Sequence, residues 1–302
     1  MGDAILLAAI PLFLLLIGLE YWLDCRRGTG HYRLNDVYGS LSLGIISRSS
    51  KLVVLGLGAY VMQHLLPSLS LPIFTEARYQ WLAWPLAFVI YDFFYYWGHR
   101  MGHQINFFWA AHSIHHQSED YNLTTALRQT SSSILGWIFT APMLMLGVSV
   151  EMYVTCAALN LIYQYWVHTQ HIDKLGWFER FMVTPSHHRV HHAQNACYID
   201  KNHGGVFILW DKWFGTFQEG LSSEPPIYGI RRALHSFNPL WANVHVWSSL
   251  CSDAWRTRSW WDKLRIWWMP TGWRPADMEE HYPIKRPTSR PLRSLIRRST
   301  EK

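Results

Sequence analysis

The amino-acid sequence predicts an all-α integral membrane protein with four to five transmembrane helices and a cytoplasmic helical domain that carries histidine clusters. Three observations lead to this fold class. Charged residues make up 16% of the 302 positions and aromatic residues another 16%, including 18 Trp, which is unusual for a water-soluble domain. Several apolar stretches are long enough to cross a bilayer. Eleven of the 17 histidines fall between residues 99 and 192.

The N-terminal region, residues 1–80, is predicted to hold the first two transmembrane helices. Residues 4–23 contain one acidic side chain and can cross about 30 Å of hydrocarbon. A cleaved signal peptide is the alternative, but the stretch lacks a basic segment before it and a small-residue cleavage site after it. Residues 52–69 form the second predicted span. An interfacial helix over 37–46 precedes it, because the basic residues between the two would be costly at the bilayer centre.

The central region, residues 81–220, is predicted to be the catalytic domain. Residues 81–97 form its membrane-spanning entry helix. Residues 133–168 contain one charged side chain, Glu151 near the middle. This stretch is long enough for a hairpin of two spans that turns around residues 147–151.

The distribution of basic residues predicts which side of the membrane each segment faces. The segment between the first two spans carries Arg26, Arg27, Arg33, Arg48 and Lys51. The loop between the second and third spans has Arg78 as its single basic residue. Basic residues concentrate in cytoplasmic loops, so the first segment is predicted to be cytoplasmic. Residues 99–132 and everything after 168 then lie on that same side.

The C-terminal region, residues 221–302, is predicted to be cytoplasmic or interfacial and to end in a basic tail. Residues 255–270 mix Trp with basic side chains and are too short and too charged to span. They form either an interfacial amphipathic helix or an ordinary helix packed on the cytoplasmic domain. The net charge of +6 is assigned to contact with anionic lipid headgroups rather than nucleic acid, because the basic residues lie at segment ends and in the tail.

The histidines form an HxxxH pair and two HxxHH motifs, with His168 and His171 between them. On a helix, residues at i, i+3 and i+4 share one face, so each motif can aim several imidazoles at one point. Neutral imidazole is the commonest metal ligand in proteins. One ion accepts about four to six ligands, so the nine well-spaced imidazoles indicate two ions. A His-rich, carboxylate-poor set favours redox iron over a structural zinc site, which favours cysteine.

Two other residues are candidates around this centre. Thr184 and Pro185 are typical of a helix start, which places His187 on that helix but away from the metal, in a supporting role. Asp92 lies seven residues before His99, near the end of a predicted span, and is expected to hydrogen-bond a ligand imidazole. The alternative for Asp92 is a helix-end carboxylate that meets water.

The order of the motifs HRMGH, HSIHH and HHRVHH resembles the fatty acid hydroxylase and sterol desaturase superfamily of membrane di-iron enzymes, over about residues 80–220. The stretches "YDFFYYWGHRMGH" and "HHQSEDYNLTTALRQ" are most similar to its alkylglycerol monooxygenase branch and the bacterial relatives of that branch. The resemblance implies nine iron ligands: His99, His103, His112, His115, His116, His168, His188, His191 and His192.

The resemblance also implies roles beside the metals for part of the second motif. The residues in question, expected to line the pocket or support ligands, are Glu119, Asp120, Tyr121, Asn122 and Arg128. His171 has no firm counterpart in the branch and is placed with this supporting set. His203 stands where an aromatic residue would be usual, and the sequence leaves open whether either histidine takes part.

The implied activity is O2-dependent hydroxylation of a membrane lipid chain, at the carbon next to an ether oxygen, with tetrahydrobiopterin as reductant. The chain shows no dinucleotide, haem or ferredoxin motif, so electrons must come from an external pterin or an electron-transfer protein, and no residue is assigned to binding it. Hydroxylation or desaturation of a sterol, fatty acyl or carotenoid chain is the close alternative. A membrane metal transporter or sensor is the non-enzymatic alternative. The expected location is a bacterial inner membrane or the endoplasmic reticulum, with the catalytic side cytoplasmic.

Overall fold

The computed structural model describes residues 2–48, 71–132 and 135–281, which form helices joined by loops, with no β-strand among them. The helices are α1 (Gly2–Arg27), α2 (residues 34–48), α3 (Pro72–Thr75), α4 (Gln80–Gln104), α5 (Asn106–His116), α6 (Ala141–Met145), α7 (Val150–Trp166), α8 (Pro185–His191), α9 (Leu209–Trp213), α10 (Pro239–Arg256) and α11 (Trp260–Arg265). The all-α class is confirmed for these residues, whereas the number of membrane spans stays a prediction.

Helix α1 is, among the described residues, the one helix both long and apolar enough to cross a membrane. Its 26 residues would extend for about 39 Å. The helix predicted over residues 4–23 is therefore present and continues further at its C-terminal end. The interfacial helix predicted over 37–46 falls inside α2, and the span predicted over 52–69 lies outside the described residues.

The predicted span 81–97 and the predicted hairpin 133–168 differ from a long apolar helix such as α1. Helix α4 covers the predicted span 81–97 and is long enough, but it is not apolar enough by the same measure as α1. The predicted hairpin has only one continuous arm, α7. Its other arm is broken into a 3-10 turn at Gly136–Phe139 and the five-residue α6, because Pro142 cannot donate a backbone hydrogen bond and so begins a new helix. Gly147, with φ of 98°, marks the turn where it was predicted.

Helix α7 packs against both α1 and α4. Phe13 of α1 stacks on Tyr165 of α7 with ring centroids 4.0 Å apart, and the Tyr165 hydroxyl donates to the Phe13 carbonyl at 2.7 Å. On the other side, Ala83 and Ala87 of α4 are fully buried in one cluster with Cys156 of α7. Such small side chains let two helices approach closely. Nearer the C-terminal ends, the Tyr95 hydroxyl of α4 donates to the Gln164 side chain of α7 at 2.8 Å, so the ends that lead into the histidine motifs lie close together.

The C-terminal region folds back onto α5. The Asn106 side chain, at the start of α5, donates to the carbonyl of Ile266 at 2.9 Å and accepts from the backbone N–H of Gly272 at 3.0 Å. Ile266 is fully buried, whereas Trp255 and Trp260 are 84% and 81% exposed. The segment 255–270 thus packs on the domain along one edge and exposes tryptophans along the other. The packing agrees with the second predicted alternative, an ordinary helix packed on the domain.

Candidate metal centre

All nine histidines predicted as ligands converge into two adjacent groups in the structure. The first group, called the five-His group, contains His99, His103, His112, His116 and His191. The second, called the four-His group, contains His115, His168, His188 and His192. Within each group, one ring nitrogen of every histidine lies within 4.8 Å of the others. Nitrogen sets of four and five are the sizes that one transition-metal ion accepts.

Each HxxHH motif divides its imidazoles between the two groups, instead of aiming them all at one point as the spacing suggested. The reason is the helical pitch, since successive residues turn by about 100°. His112 and His116 are about 40° apart on α5 and join the five-His group, whereas His115 turns away to the four-His group. The motif at α8 does the reverse: His188 and His192 share the four-His group, and His191 joins the five-His group.

Backbone carbonyls orient four of the nine rings. In each case Nδ1 lies within hydrogen-bond distance of a carbonyl oxygen, which can only accept, so Nδ1 carries the proton and Nε2 presents its lone pair. The four pairs are His99 with His203 (2.8 Å), His115 with Arg128 (3.1 Å), His168 with Gln164 (2.7 Å) and His191 with Lys201 (2.9 Å).

The arrangement of lone pairs favours a bound cation. Nε2 of His115 and Nε2 of His168 are 3.2 Å apart, although both rings hold their proton on Nδ1. Two acceptors this close repel each other unless a positive charge lies between them. Nitrogens bound to one metal at about 2.1 Å are about 3.0 Å apart when they subtend a right angle. The Nε2 atoms of His188 and His168, at 3.0 Å, have the same spacing.

The rings are also in the protonation state that binds metal. Burial, reinforced by the neighbouring imidazoles, lowers the pKa of His188, His191 and His192 well below its ordinary value. These rings are therefore neutral at physiological pH, and their lone pairs are available. Nε2 of His103 and Nε2 of His191 make no hydrogen bond within the described ranges and are buried, which is costly without a bound ion. The residues present thus fit two metal ions.

His203, which the sequence left open, borders the five-His group without belonging to it. The residue is fully buried, and its ring centroid is 5.1 Å from that of His103. Its carbonyl is the acceptor that orients His99, at 2.8 Å. Neither of its ring nitrogens makes a hydrogen bond to the part of the chain that the structure describes. The backbone carbonyl of His203, and not its ring, therefore orients the predicted ligand His99.

Asp92 does not hydrogen-bond an imidazole, which corrects the expectation from its spacing to His99. Its fully buried carboxylate accepts from Asn160 at 2.6 Å, from Trp210 Nε1 at 2.8 Å, and from the backbone N–H groups of Val206 and Phe207 at 2.8 and 3.0 Å. The alternative of a carboxylate in water is excluded as well. Asp92 instead fixes the segment 206–210 against α4, just after the residue whose carbonyl orients His99.

Asp211 also fixes a loop beside the metal centre, a role that was not predicted from the sequence. Its buried carboxylate accepts from the backbone N–H groups of His203 and Gly204, both at 2.7 Å, and from the Thr216 hydroxyl at 2.6 Å. Asp92 and Asp211 together hold the loop that faces the five-His group. No periodic pattern marks Asp211, because its partners lie in the loop on either side of α9.

His187 and His171 lie outside both groups. His187 is buried and contacts the ring of Phe217, with centroids 5.5 Å apart, outside both histidine groups. Thr184 occupies the N-cap position of α8, as predicted. Its hydroxyl donates to Glu179 at 2.8 Å and does not cap the helix. His171 lies beside Asp24 and His31, at the end of α1.

The stretch after the second motif supports the four-His group and supplies no ligand to it. The ring of Tyr121 is 5.1 Å from that of His192, and its hydroxyl donates to the Val167 carbonyl at 2.9 Å. Arg128 is buried, and its guanidinium donates to the Ile114 carbonyl at 2.9 Å while its own carbonyl orients His115. Tyr121 thus packs against the ring of His192, and Arg128 orients the ring of His115.

The acidic and amide side chains of the same stretch face the N-terminal helices. Asp120 and Glu119 pair with Arg33, at 2.7 and 3.5 Å. Asn122 donates from its side chain to the carbonyl of His31 at 2.8 Å. These three residues thus connect the second motif to the linker between α1 and α2.

A cavity of about 410 Å³ opens beside the five-His group. His103 lies in its wall together with Ile105, Asp200, Trp268 and Thr271. The wall combines apolar side chains with a few polar groups, as is usual for binding sites of small molecules and lipid chains. Through His103, a molecule in this cavity would adjoin the five-His group directly.

Comparison with known proteins shows which family this chain is similar to. Residues 84–216 match the family model described as fatty acid hydroxylase. Alkylglycerol monooxygenase from Homo sapiens is 38% identical over 276 residues, which cover 89% of this chain and 60% of that protein. The protein of the same name from Danio rerio is 38% identical over 273 residues, which cover 89% of this chain and 59% of its own length.

More distant relatives carry related names. Ornithine lipid hydroxylase OlsE from Rhizobium tropici is 26% identical over 145 residues, which cover 44% of this chain and 43% of that protein. No solved structure matches the chain. The chain spans about 60% of the length of the monooxygenases it matches. Residues 84–216 of this chain, which match the fatty acid hydroxylase family model, include all nine clustered histidines.

Proposed function

We propose that this protein is a membrane-bound, O2-dependent lipid monooxygenase with one iron ion in each histidine group, and that it hydroxylates an alkyl chain at the carbon next to an ether oxygen. The observation that carries the proposal is the pair of unprotonated nitrogens of His115 and His168, held 3.2 Å apart by backbone carbonyls. The name shared by the relatives at 38% identity supports the ether lipid as substrate class.

The nitrogen-only ligand set suits iron, although such a set also accepts zinc readily. Two bound iron ions would supply the reduction of O2 and the cleavage of a C–H bond. The chain's own residues keep the ligand rings neutral through burial and fix their direction through the four carbonyls. They also shield the centre, since all the rings of the four-His group are at most 9% exposed. Exclusion of water protects a reactive centre from side reactions.

The atoms of the proposed reaction balance with one O2, two electrons and two protons. One oxygen atom becomes a hydroxyl on the carbon that loses its hydrogen, and the other leaves as water. When that carbon also bears an ether oxygen, the product is a hemiacetal. The hemiacetal collapses to a fatty aldehyde and an alcohol, so the ether bond breaks without a further oxidant.

The substrate chain is placed in the cavity beside His103. Ile105 and Trp268 offer it an apolar wall, and the Trp109 ring centroid is 5.4 Å from that of His103. Burial of each methylene group of an alkyl chain contributes about 0.8 kcal/mol, so a long chain binds to such a wall without a charged partner. The polar end of the lipid would then face Asp200 and Thr271 at the same wall.

The electrons are proposed to come from a reduced pterin of the tetrahydrobiopterin type, with an electron-transfer protein as the second candidate. The sequence carries no motif for a flavin, haem or iron–sulfur cluster. The protein is further proposed to be integral to the membrane through α1, with the metal centre on the cytoplasmic side of a bacterial inner membrane or the endoplasmic reticulum. Arg26 and Arg27 in the last turn of α1 support this orientation.

An assay in sealed membrane vesicles tests the activity and the orientation together. Iron-loaded protein would receive an alkylglycerol, tetrahydrobiopterin and 18O2, with products reduced by borohydride at once to stop oxygen exchange. We expect fatty aldehyde carrying one 18O atom, detected as the labelled fatty alcohol after reduction, in inside-out vesicles and at most weakly in right-side-out ones. A hydroxylated fatty acyl or sterol product instead would contradict the ether lipid as substrate. No O2-dependent product from any of these lipids, with protein that holds two irons, would contradict the monooxygenase itself.

A further inference from the structure

A third group of ligand-type side chains lies at the C-terminal end of α1, apart from the nine histidines. It consists of Asp24, His31 and His171, whose ligand atoms lie within 4.8 Å of one another. We propose that these three residues bind a divalent transition-metal ion of the zinc class, in addition to the two ions of the histidine groups.

The distances in this group fit an ion better than a hydrogen bond. Nδ1 of His31 is 3.3 Å from Oδ1 of Asp24, and Nε2 of His171 is 3.8 Å from that same oxygen. A contact of 3.8 Å is too long for a hydrogen bond. Two ligands at about 2.0 Å from one zinc ion are about 3.3 Å apart at the tetrahedral angle, and further apart when that angle opens.

The His171 nitrogen that faces Asp24, Nε2, is buried and makes no hydrogen bond to a described residue. The His171 side chain is 6% exposed. The Asp24 side chain is likewise 6% exposed. A buried nitrogen aimed at a buried carboxylate, with a gap too wide for a proton to bridge, leaves the space that a cation fills.

The carboxylate is already held in position by neighbouring donors. The hydroxyl of Thr29 and the backbone N–H of His31 donate to Asp24, the latter at 2.9 Å. Donors of this kind order a metal-binding carboxylate before the ion arrives. Two imidazoles and one carboxylate form a common ligand set for zinc, which completes its coordination with water.

Arg27 opposes the binding of a cation at this site. One of its guanidinium nitrogens is 3.5 Å from Nδ1 of His171, at the outer limit of a hydrogen bond. The arginine is exposed, so its side chain can turn into solvent when Nδ1 takes up the proton that metal binding by Nε2 requires. Removal of this positive charge should therefore tighten the site.

An ion here would join three parts of the chain. Asp24 lies in the last turn of α1, His31 lies in the linker to α2, and His171 follows His168 of the four-His group by three residues. The site would thus fasten the proposed membrane helix to the segment that carries a ligand of the second ion. Its role is structural, and its test needs no turnover, so it stands or falls separately from the monooxygenase activity.

Zinc binding by the full-length protein in detergent tests the proposal by equilibrium dialysis and elemental analysis. Wild type is expected to bind three ions per chain, and Asp24→Asn and His171→Gln one ion fewer. Tyr32→Phe, which removes a neighbouring hydrogen bond to Glu20 but no ligand, should keep the wild-type count. Arg27→Gln should keep that count at a lower free zinc concentration.

The variants that keep the elution volume of wild type decide the result. An equal number of ions in wild type and in either Asp24→Asn or His171→Gln would overturn the proposal. If Asp24→Asn does not fold, His171→Gln gives the answer alone, because its side chain only faces the site from a loop. Loss of an ion in Tyr32→Phe as well would also overturn it, since the effect would then follow any change near α1.

Discussion

Replacement of His115 with alanine is expected to abolish product formation and to release the ion of the four-His group. The ring supplies one of four nitrogens, and its loss leaves His168 with a lone pair and no shared cation. Changes that merely disturb ligand orientation already cost 10–100-fold in metal affinity or activity, so removal of a ligand should exceed about 100-fold. Turnover and bound metal would be measured on the same purified sample.

The control for this variant is His235→Asn. His235 is exposed, lies outside both groups and has a φ of 51°, which asparagine tolerates. It should keep full turnover and both ions. Unchanged turnover and metal content in His115→Ala would remove His115 from the ligand set and with it the four-His group.

Replacement of Asp92 with asparagine is expected to lower the free energy of unfolding by on the order of 3 kcal/mol, because hydrogen bonds to a buried charge are strong and their loss leaves donors unpaired. The carboxylate accepts four hydrogen bonds in the structure. An amide would place its NH2 group against N–H donors of Val206, Phe207 or Trp210. The loop that orients His99 would then shift, so metal content should fall as well.

Thermal unfolding in detergent and elemental analysis check this prediction, with Asp173→Asn as the matched control. Asp173 is exposed, so the same chemical change there should leave the unfolding temperature within the error of wild type. An Asp92→Asn protein as stable as wild type and fully loaded with metal would show that segment 206–210 is held by other contacts.

The sequence predicted which histidines meet, but not how they divide. The spacings of HxxxH and HxxHH require helices with several imidazoles on one face, and α4, α5 and α8 have that form. The division into five and four depends on how α5 and α8 face each other, which is a tertiary relation without a local signal. His115 and His191 therefore turned out to belong to the opposite group from their own motif partners.

The supporting residues were harder to predict, because their partners are distant in sequence. Asp92 contacts residues more than 110 positions later, and only the returning chain shows that its partners are backbone N–H groups. The carbonyls that orient four ligands belong to residues of any type, so no composition rule marks them. The broken arm before α7 is as apolar as a membrane span, and the position of Pro142 outweighed that composition.

The central claim, that nine histidines hold two ions, is tested most directly by anomalous diffraction at the iron absorption edge from crystals of iron-loaded protein. We expect one peak inside the five-His group and one inside the four-His group, each about 2.0–2.3 Å from its imidazole nitrogens. A single peak at the nine histidines would contradict the proposed centre. Two peaks at which other residues replace some of these histidines as ligands would contradict it as well.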